Sequence, residues 1–296
     1  MRHRLCGIIL ALNCFALTGM EINWSKARTV HPGIELIQLE STLPRLQKIN
    51  LMRIDLQNKA LRFTGTPRDP DWGKPMPDYD KLKIHTRRVR TRDFMLHARK
   101  PQDQNGPGLN MIVAINAAPW IPWEKPFDHK YAHPIGVNIS DGQVISDSTA
   151  PRAAFVVYKD GNADIVPSIP KTDYPKINLA ASGFFLILQD GNFVEDNYSS
   201  NPQPRTAYGL SRDRRYLYLM TIDGRQKDWS LGATIRETAE LLKDAGSHNA
   251  INMDGGGSAT LCYWDAEQKK PVVLNRHSKD SYERPVGSSI GICLDK

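Results

Sequence analysis

Cysteine is scarce, with four residues in 296, which excludes a small scaffold stapled by disulfides. No Cys-x-x-Cys pair and no Cys/His spacing marks a zinc site. Beyond residue 20 no apolar run reaches membrane-spanning length. The glycine-lysine-serine/threonine signature of a phosphate-binding loop is missing, as is the G-x-G-x-x-G of a dinucleotide site. Basic clusters are missing too. The net charge is +7, but the lysines and arginines are scattered, which suits an anionic substrate and argues against nucleic acid. What is present is ordinary globular material. With 40% hydrophobic and 24% charged residues, the chain is neither disordered nor fibrous. At this length it can bury roughly three quarters of its extended surface.

The first residues, Met1-Arg2-His3-Arg4, are basic, and about fifteen mostly apolar residues follow before Glu21 and Asn23. That layout is expected of a secretory signal over residues 1–20. Its loss would lower the net charge by two through Arg2 and Arg4 and would remove Cys6 and Cys14. Cys262 and Cys293 would remain, each in an apolar strand-like run. They would pair if their strands were neighbours, or else serve as separate buried thiols. The mature chain is expected to be exported, periplasmic or secreted, without a membrane span.

The remainder, 21–296, is expected to form a single strand-rich α+β domain with a mixed or antiparallel sheet and a few inserted helices. Residues 34–39, 49–56 and 111–116 are β-branched and apolar over strand lengths. Asp-Gly pairs at Asp141-Gly142, Asp160-Gly161 and Asp190-Gly191 lie between apolar runs and suit hairpin tips. Two helices are expected. One opens at Thr91, a possible cap. The other spans 234–246, with Thr234 and Glu237 as a capping box, an apolar stripe and a stop at Gly246.

The most informative stretch follows that second helix: Asn252-Met253-Asp254-Gly255-Gly256-Gly257-Ser258. Three glycines allow close approach to the main chain and expose amides that can cradle an anion. Asp254 and the Ser258 hydroxyl beside them are candidates for acid–base work. The local pattern alone is equally that of a glycine-rich turn capped by an Asp. A second cluster contains Pro204-Arg205-Thr206-Ala207 and then Asp223-Gly224-Arg225. A third contains Asn275-Arg276-His277 and Glu283-Arg284-Pro285-Val286.

Taken in this order, PRTA, IDGR, NMDGGGSATL and ERPV resemble the phosphodiester glycosidase domain family, from about Ile49 to the C-terminus and most densely over 204–291. The resemblance implies an exported α+β domain that hydrolyses the bond between a sugar anomeric carbon and a phosphodiester. Its substrate would be a sugar phosphodiester or a phosphorylated glycan of the cell envelope or an exopolysaccharide. Residue by residue, it implies roles for Arg205 and Thr206, for Asp223 and Arg225, for Asp254 through Ser258, for Arg284, and for Asn116 at the end of the 111–116 run. The sequence departs from the family after Asn116, where it continues Ala117-Ala118-Pro119-Trp120-Ile121-Pro122-Trp123. Trp120 and Trp123 are candidates for stacking on a sugar ring, or else core and loop anchors.

The chemistry of the residues agrees. Arginine holds a phosphodiester bidentately, so Arg205, Arg225 and Arg284 are the expected phosphate ligands, with Asn116, Thr206 and Gly255, Gly256, Gly257 and Ser258 beside them. A sugar phosphate is a good leaving group, so one carboxylate acting as base or nucleophile can suffice. Asp254 is the first candidate and Asp223 the second. No cofactor is expected. One alternative is a metal-dependent phosphodiesterase with a divalent cation on Asp223, Asp254 and Asn116. Another is a non-catalytic polysaccharide-binding protein, suggested by Ala118 and Pro119. For the leader, the expected outcome is a mature N-terminus between about residues 17 and 24. N-terminal sequencing of exported protein checks it, and recovery of Met1 would refute it.

Overall fold

A computed structural model describes residues 22–124, 128–148, 150–194, 200–278 and 282–295. The expected leader, with Cys6 and Cys14, lies outside the described residues.

Strands dominate, and every strand pairing among the described residues is antiparallel. The expected α+β character is met chiefly on its β side, since only two α-helices occur among the described residues: α1 (Thr91–Arg99) and α2 (Ile235–Ala245). The largest sheet has eight strands and places Gln47–Asp55, Tyr216–Ile222, Arg205–Leu210, Asn249–Asn252 and Phe185–Gln189 side by side. A five-stranded sheet centres on Asn110–Asn116, flanked by Leu261–Asp265 and Ser289–Leu294. A second five-stranded sheet is built around Ile177–Ser182 and Ala154–Tyr158.

Side-chain alternation divides the core. In Tyr216–Ile222, Leu217 and Leu219 point into the central core, where they meet Val113, Ile115 and Ile290 of the first five-stranded sheet and Phe155 and Leu179 of the second. Tyr218, Met220 and Ile222 face the other way and meet Ile235, Ala239, Leu241 and Leu242 of α2. On the outer face of the Asn110–Asn116 sheet, α1 packs Phe94 and Met95 on Met111 and Ala114. Each helix therefore covers a sheet face that would otherwise expose apolar side chains.

The cysteines resolve to separate thiols. Cys262 and Cys293 lie on strands that flank Asn110–Asn116 on opposite sides, pairing with Ala114 and Met111. Both are buried and free under α1. Burial pushes both thiols up, Cys293 to about 12.

Local signals held unevenly. The 234–246 helix has its capping box, with Glu237 N–H donating to Thr234 Oγ1 at 3.1 Å and Thr234 N–H donating to Glu237 Oε2 at 2.9 Å. Gly246 ends it at φ +112°. Thr91 is not a cap: Arg90 occupies that position, and the buried Thr91 hydroxyl bonds the Ser289 hydroxyl at 3.1 Å. Tertiary packing has claimed the side chain a cap would need. Asp141-Gly142 and Asp190-Gly191 form tight hairpin tips with positive φ at both residues, whereas only the glycine is left-handed at Asp160-Gly161. Thr234→Ala should cost about 1 kcal/mol. A lowered thermal midpoint in calorimetry, with the far-UV spectrum unchanged, is the expected result.

Candidate active site

Two sheets meet at Asn116. Its Nδ2 donates to the Asp254 carbonyl at 2.6 Å, while its Oδ1 accepts from the Thr206 hydroxyl at 2.8 Å and the Thr260 N–H at 3.0 Å. Met253 N–H bonds Thr206 O, and Asp254 N–H bonds Ala117 O. Asn116 and Thr206 are buried and committed to these contacts. Expected as substrate ligands, they are corrected to braces that fix the backbone at Asp254.

The glycine loop is shaped by close approach. A Cβ on Gly255 would stand 2.7 Å from the Pro204 carbonyl. Gly256 has φ +60° and lies under the Arg225 guanidinium, and a Cβ there would meet Nη1 at 3.3 Å. Gly257 lies under Arg284, its Cβ position 3.5 Å from Cζ. A Cβ on 256 would press on the Arg225 guanidinium, whereas one on 257 would only touch Arg284. The expected amide cradle is corrected in part, because Gly256 N–H donates to Pro204 O at 2.9 Å and Ser258 N–H to Gly255 O at 3.1 Å.

Charge at this loop comes from side chains. Asp254, Arg205, Arg225 and Arg284 line one cleft of about 180 Å3, with Trp123 and Phe184 on its wall. Arg225 donates from Nε to Gln203 Oε1 at 2.6 Å and holds a left-handed φ of +60°, a conformation a non-glycine residue keeps only when its surroundings dictate it. Arg205 donates to the carbonyls of Ala233 and Asn201. Arg284 donates from Nη2 to Ser258 Oγ at 2.5 Å. Its neighbour Glu283 is buried and ion-paired with Arg92 of α1, which fixes the chain entering the site. Among the described residues no carboxylate forms a salt bridge with Arg205 or Arg225. Burial draws Arg205 down to about 10, with the Arg225 charge adding to the effect. Burial also lowers Arg284, against the opposing pull of Asp254. The cleft thus holds an excess of partly desolvated positive charge beside one carboxyl.

That carboxyl, Asp254, is 2% exposed. Burial pushes it up to about 6, against the attraction of Arg284 and the hydrogen-bonding pull of Ser258, Trp120 and the Gly255 N–H. Asp223 is likewise pushed up to about 6 by burial, but it is not part of the cleft lining. Its Oδ2 accepts from the Trp229 indole at 2.6 Å and the Arg276 N–H at 3.0 Å. Expected as the second catalytic carboxylate, Asp223 instead ties the 225–231 loop to the 275–277 segment. Asn275 and His277 continue that bracing, through Ala259 O, Leu261 N–H and the Thr260 hydroxyl.

Trp120 is fully buried, with the Arg88 and Arg284 guanidinium carbons 4.5 and 5.9 Å from its ring centroid. Its expected stacking on a sugar is corrected: the ring has no exposed surface to offer, and the alternative reading as a core residue holds. Trp123 is 51% exposed at the cleft. Phe184, Asn252 and Gln203 also line the cleft and carried no sequence signal beyond proximity to the motifs. Arg88, 196 positions before Arg284 in the chain, carried none at all.

The described residues thus form an antiparallel β framework with three arginines and one buried carboxyl on one cleft. The comparisons narrow this: residues 110–293 match the phosphodiester glycosidase family model, and the chain belongs to that family. Solved structures share the fold. One is the catalytic domain of zebrafish N-acetylglucosamine-1-phosphodiester α-N-acetylglucosaminidase, described as auto-inhibited by its pro-peptide. It has 19% identity and a TM-score of 0.61, over 92% of this chain and 87% of that one. A hypothetical protein from Synechocystis has 13% identity and a TM-score of 0.60, over 91% of this chain and 64% of that one. A putative exported protein from Burkholderia pseudomallei has 12% identity and a TM-score of 0.56, over 84% of this chain and 74% of that one. No curated protein matches the sequence significantly.

The raised carboxyls set a pH dependence of stability. Asp254 and Asp223 titrate near 6 when folded against 3.8 for the free group. The folded state therefore binds protons more tightly than the unfolded. The stability they contribute is full below about pH 4 and is lost as pH rises through about 6. Asp254→Asn removes one of these titrations. Its melting temperature should fall less between pH 4 and 7 than that of the parent protein, as measured by calorimetry across that range. An identical fall would show that Asp254 titrates normally.

Proposed function

We propose that the protein is an exported hydrolase that cleaves the bond between a sugar anomeric carbon and the oxygen of a phosphodiester, on a glycan or cell-envelope polysaccharide. The observation that carries this reading is the convergence of Arg205, Arg225 and Arg284 with the buried Asp254 on one cleft. Family membership supports the reaction class, and the substrate named for the zebrafish enzyme supports a sugar-1-phosphodiester. The basic-apolar start of the chain supports export.

The arginines bind the phosphate and neutralise charge as the C–O bond breaks. The bonding electrons leave on the phosphate oxygen, and a phosphomonoester departs. Water supplies the oxygen that ends on the anomeric carbon. Asp254 is ionised above about pH 6 and either takes the proton of that water or attacks the carbon first. The two courses invert or retain the anomeric configuration. The metal-dependent alternative loses a ligand, because the Asn116 amide oxygen already accepts two hydrogen bonds.

The test is hydrolysis of sugar-1-phosphodiesters in oxygen-18 water, with and without chelator. Label in the sugar, undiminished by chelator, is expected. Label in the phosphate, or loss of activity with chelator, would favour the metal-dependent phosphodiesterase, and no turnover would favour the binding protein. Asp254→Asn should lower turnover by roughly 10²-fold or more, and Arg284→Lys should weaken it strongly, since a point charge replaces a fork. Parent activity should rise as pH increases through about 6.

A further inference from the structure

Besides the arginines, the cleft lining includes aromatic side chains. Trp123 stands half exposed at its wall, its ring centroid 6.4 Å from that of Phe184 and edge-on at 72°. Phe184 is held to the main chain of the strand that leads to Asp254, its N–H donating to Asn252 O at 2.8 Å. The Trp123 segment is anchored on either side. Ile121 pairs with His133, and the Glu124 carboxylate accepts from the Tyr79 hydroxyl at 3.0 Å. The platform is therefore made by two tethered rings.

Asn252 lines the same cleft, is 4% exposed, and leaves its Oδ1 buried without a hydrogen-bond partner among the described residues. A buried amide oxygen left unpaired costs roughly 1–3 kcal/mol, so its presence in a cleft wall points to a ligand that supplies a donor. Aromatic faces beside a lone polar group fit a pyranose, which offers C–H faces for stacking and hydroxyls at its edge.

One short stretch of chain carries groups of both kinds: Asn252 lies two residues before Asp254, and Gly256 and Gly257, beneath Arg225 and Arg284, follow it. The same cleft therefore offers aromatic and amide groups for a sugar ring together with a carboxyl and guanidinium groups for the bond to its phosphate. The cleft has a volume of about 180 Å3 and opens to solvent beside Trp123.

We propose that Trp123, Phe184 and Asn252 form the subsite for the single pyranose ring that bears the phosphate, and that they determine which sugar is accepted. This rests on the phosphodiester reading and assigns the glycosyl end of that same site.

Calorimetric binding of the α-1-phosphates of glucose, galactose, mannose and N-acetylglucosamine, each against inorganic phosphate, tests it. At least one should bind the parent protein more tightly than inorganic phosphate does. Trp123→Ala, a change at an exposed position, should weaken that ligand about tenfold and leave inorganic phosphate unchanged. Trp123→Phe should recover part of the loss, and Asn252→Ala should alter the ranking among the four sugars. Arg284→Lys should weaken all ligands, phosphate included. With a cleaved diester, Trp123→Ala should raise KM more than it lowers kcat.

The assignment is overturned if no sugar phosphate binds more tightly than inorganic phosphate, if Trp123→Ala leaves sugar-phosphate binding unchanged, or if it weakens inorganic phosphate equally. Trp123-dependent binding without hydrolysis of any diester would instead overturn the hydrolase reading and leave the subsite standing. Hydrolysis with an unchanged KM in Trp123→Ala would do the reverse.

Discussion

The Asn116 carboxamide is the contact on which the site depends. It gives one hydrogen bond to the Asp254 carbonyl and accepts two, from Thr206 on the eight-stranded sheet and from Thr260 at the exit of the glycine loop. Tyr208 adds a hydroxyl bond to the Asn116 carbonyl at 2.7 Å. All of these groups are buried, so each unpaired member would carry a desolvation penalty. A small polar network inside an apolar seam thereby dictates where two sheets join and how the chain turns at residue 254.

Around that seam the protein keeps an electrostatic imbalance. Three arginines share a cleft with one carboxyl, and burial weakens the preference of Arg205 and Arg284 for their charged forms. Such an arrangement is unfavourable for the empty fold and favourable for an anion that completes it. Neutral polar contacts help hold the arginines in place: Gln203 on Arg225, Ser258 on Arg284, and backbone carbonyls on Arg205. Under the proposed function an anion would meet groups already oriented, as electrostatic stabilisation of a developing charge requires.

Much of the framework was legible because it rests on local rules. The capping box at Thr234 and Glu237, the stop at Gly246 and the strand runs at 34–39, 49–56 and 111–116 each follow from residue type and spacing over a few positions. The arginines and Asp254 were legible as motifs. Their neighbours were not. Thr91 looked like a cap and became a packing residue bonded to Ser289, 198 positions away. Trp120 and Trp123 look equivalent in the sequence, three residues apart, yet one is fully buried beside two guanidinium groups and the other is half exposed at the cleft.

Residue identity by itself determined the strand-rich composition, the ends of the 234–246 helix and the set of charged groups able to meet a phosphate, because those properties need only short stretches of chain. Only the tertiary structure decided which of these groups share a cleft. It left Asp254 in the cleft lining and Asp223 bound to Trp229 and Arg276, and it turned Asn116 and Thr206 from candidate ligands into supports. The physical reason is burial: a carboxyl or an amide takes its role from the hydrogen bonds that remain after desolvation. Those partners come from strands and loops that lie far apart in the chain, 144 positions for Asn116 and Thr260 and 191 for Arg92 and Glu283.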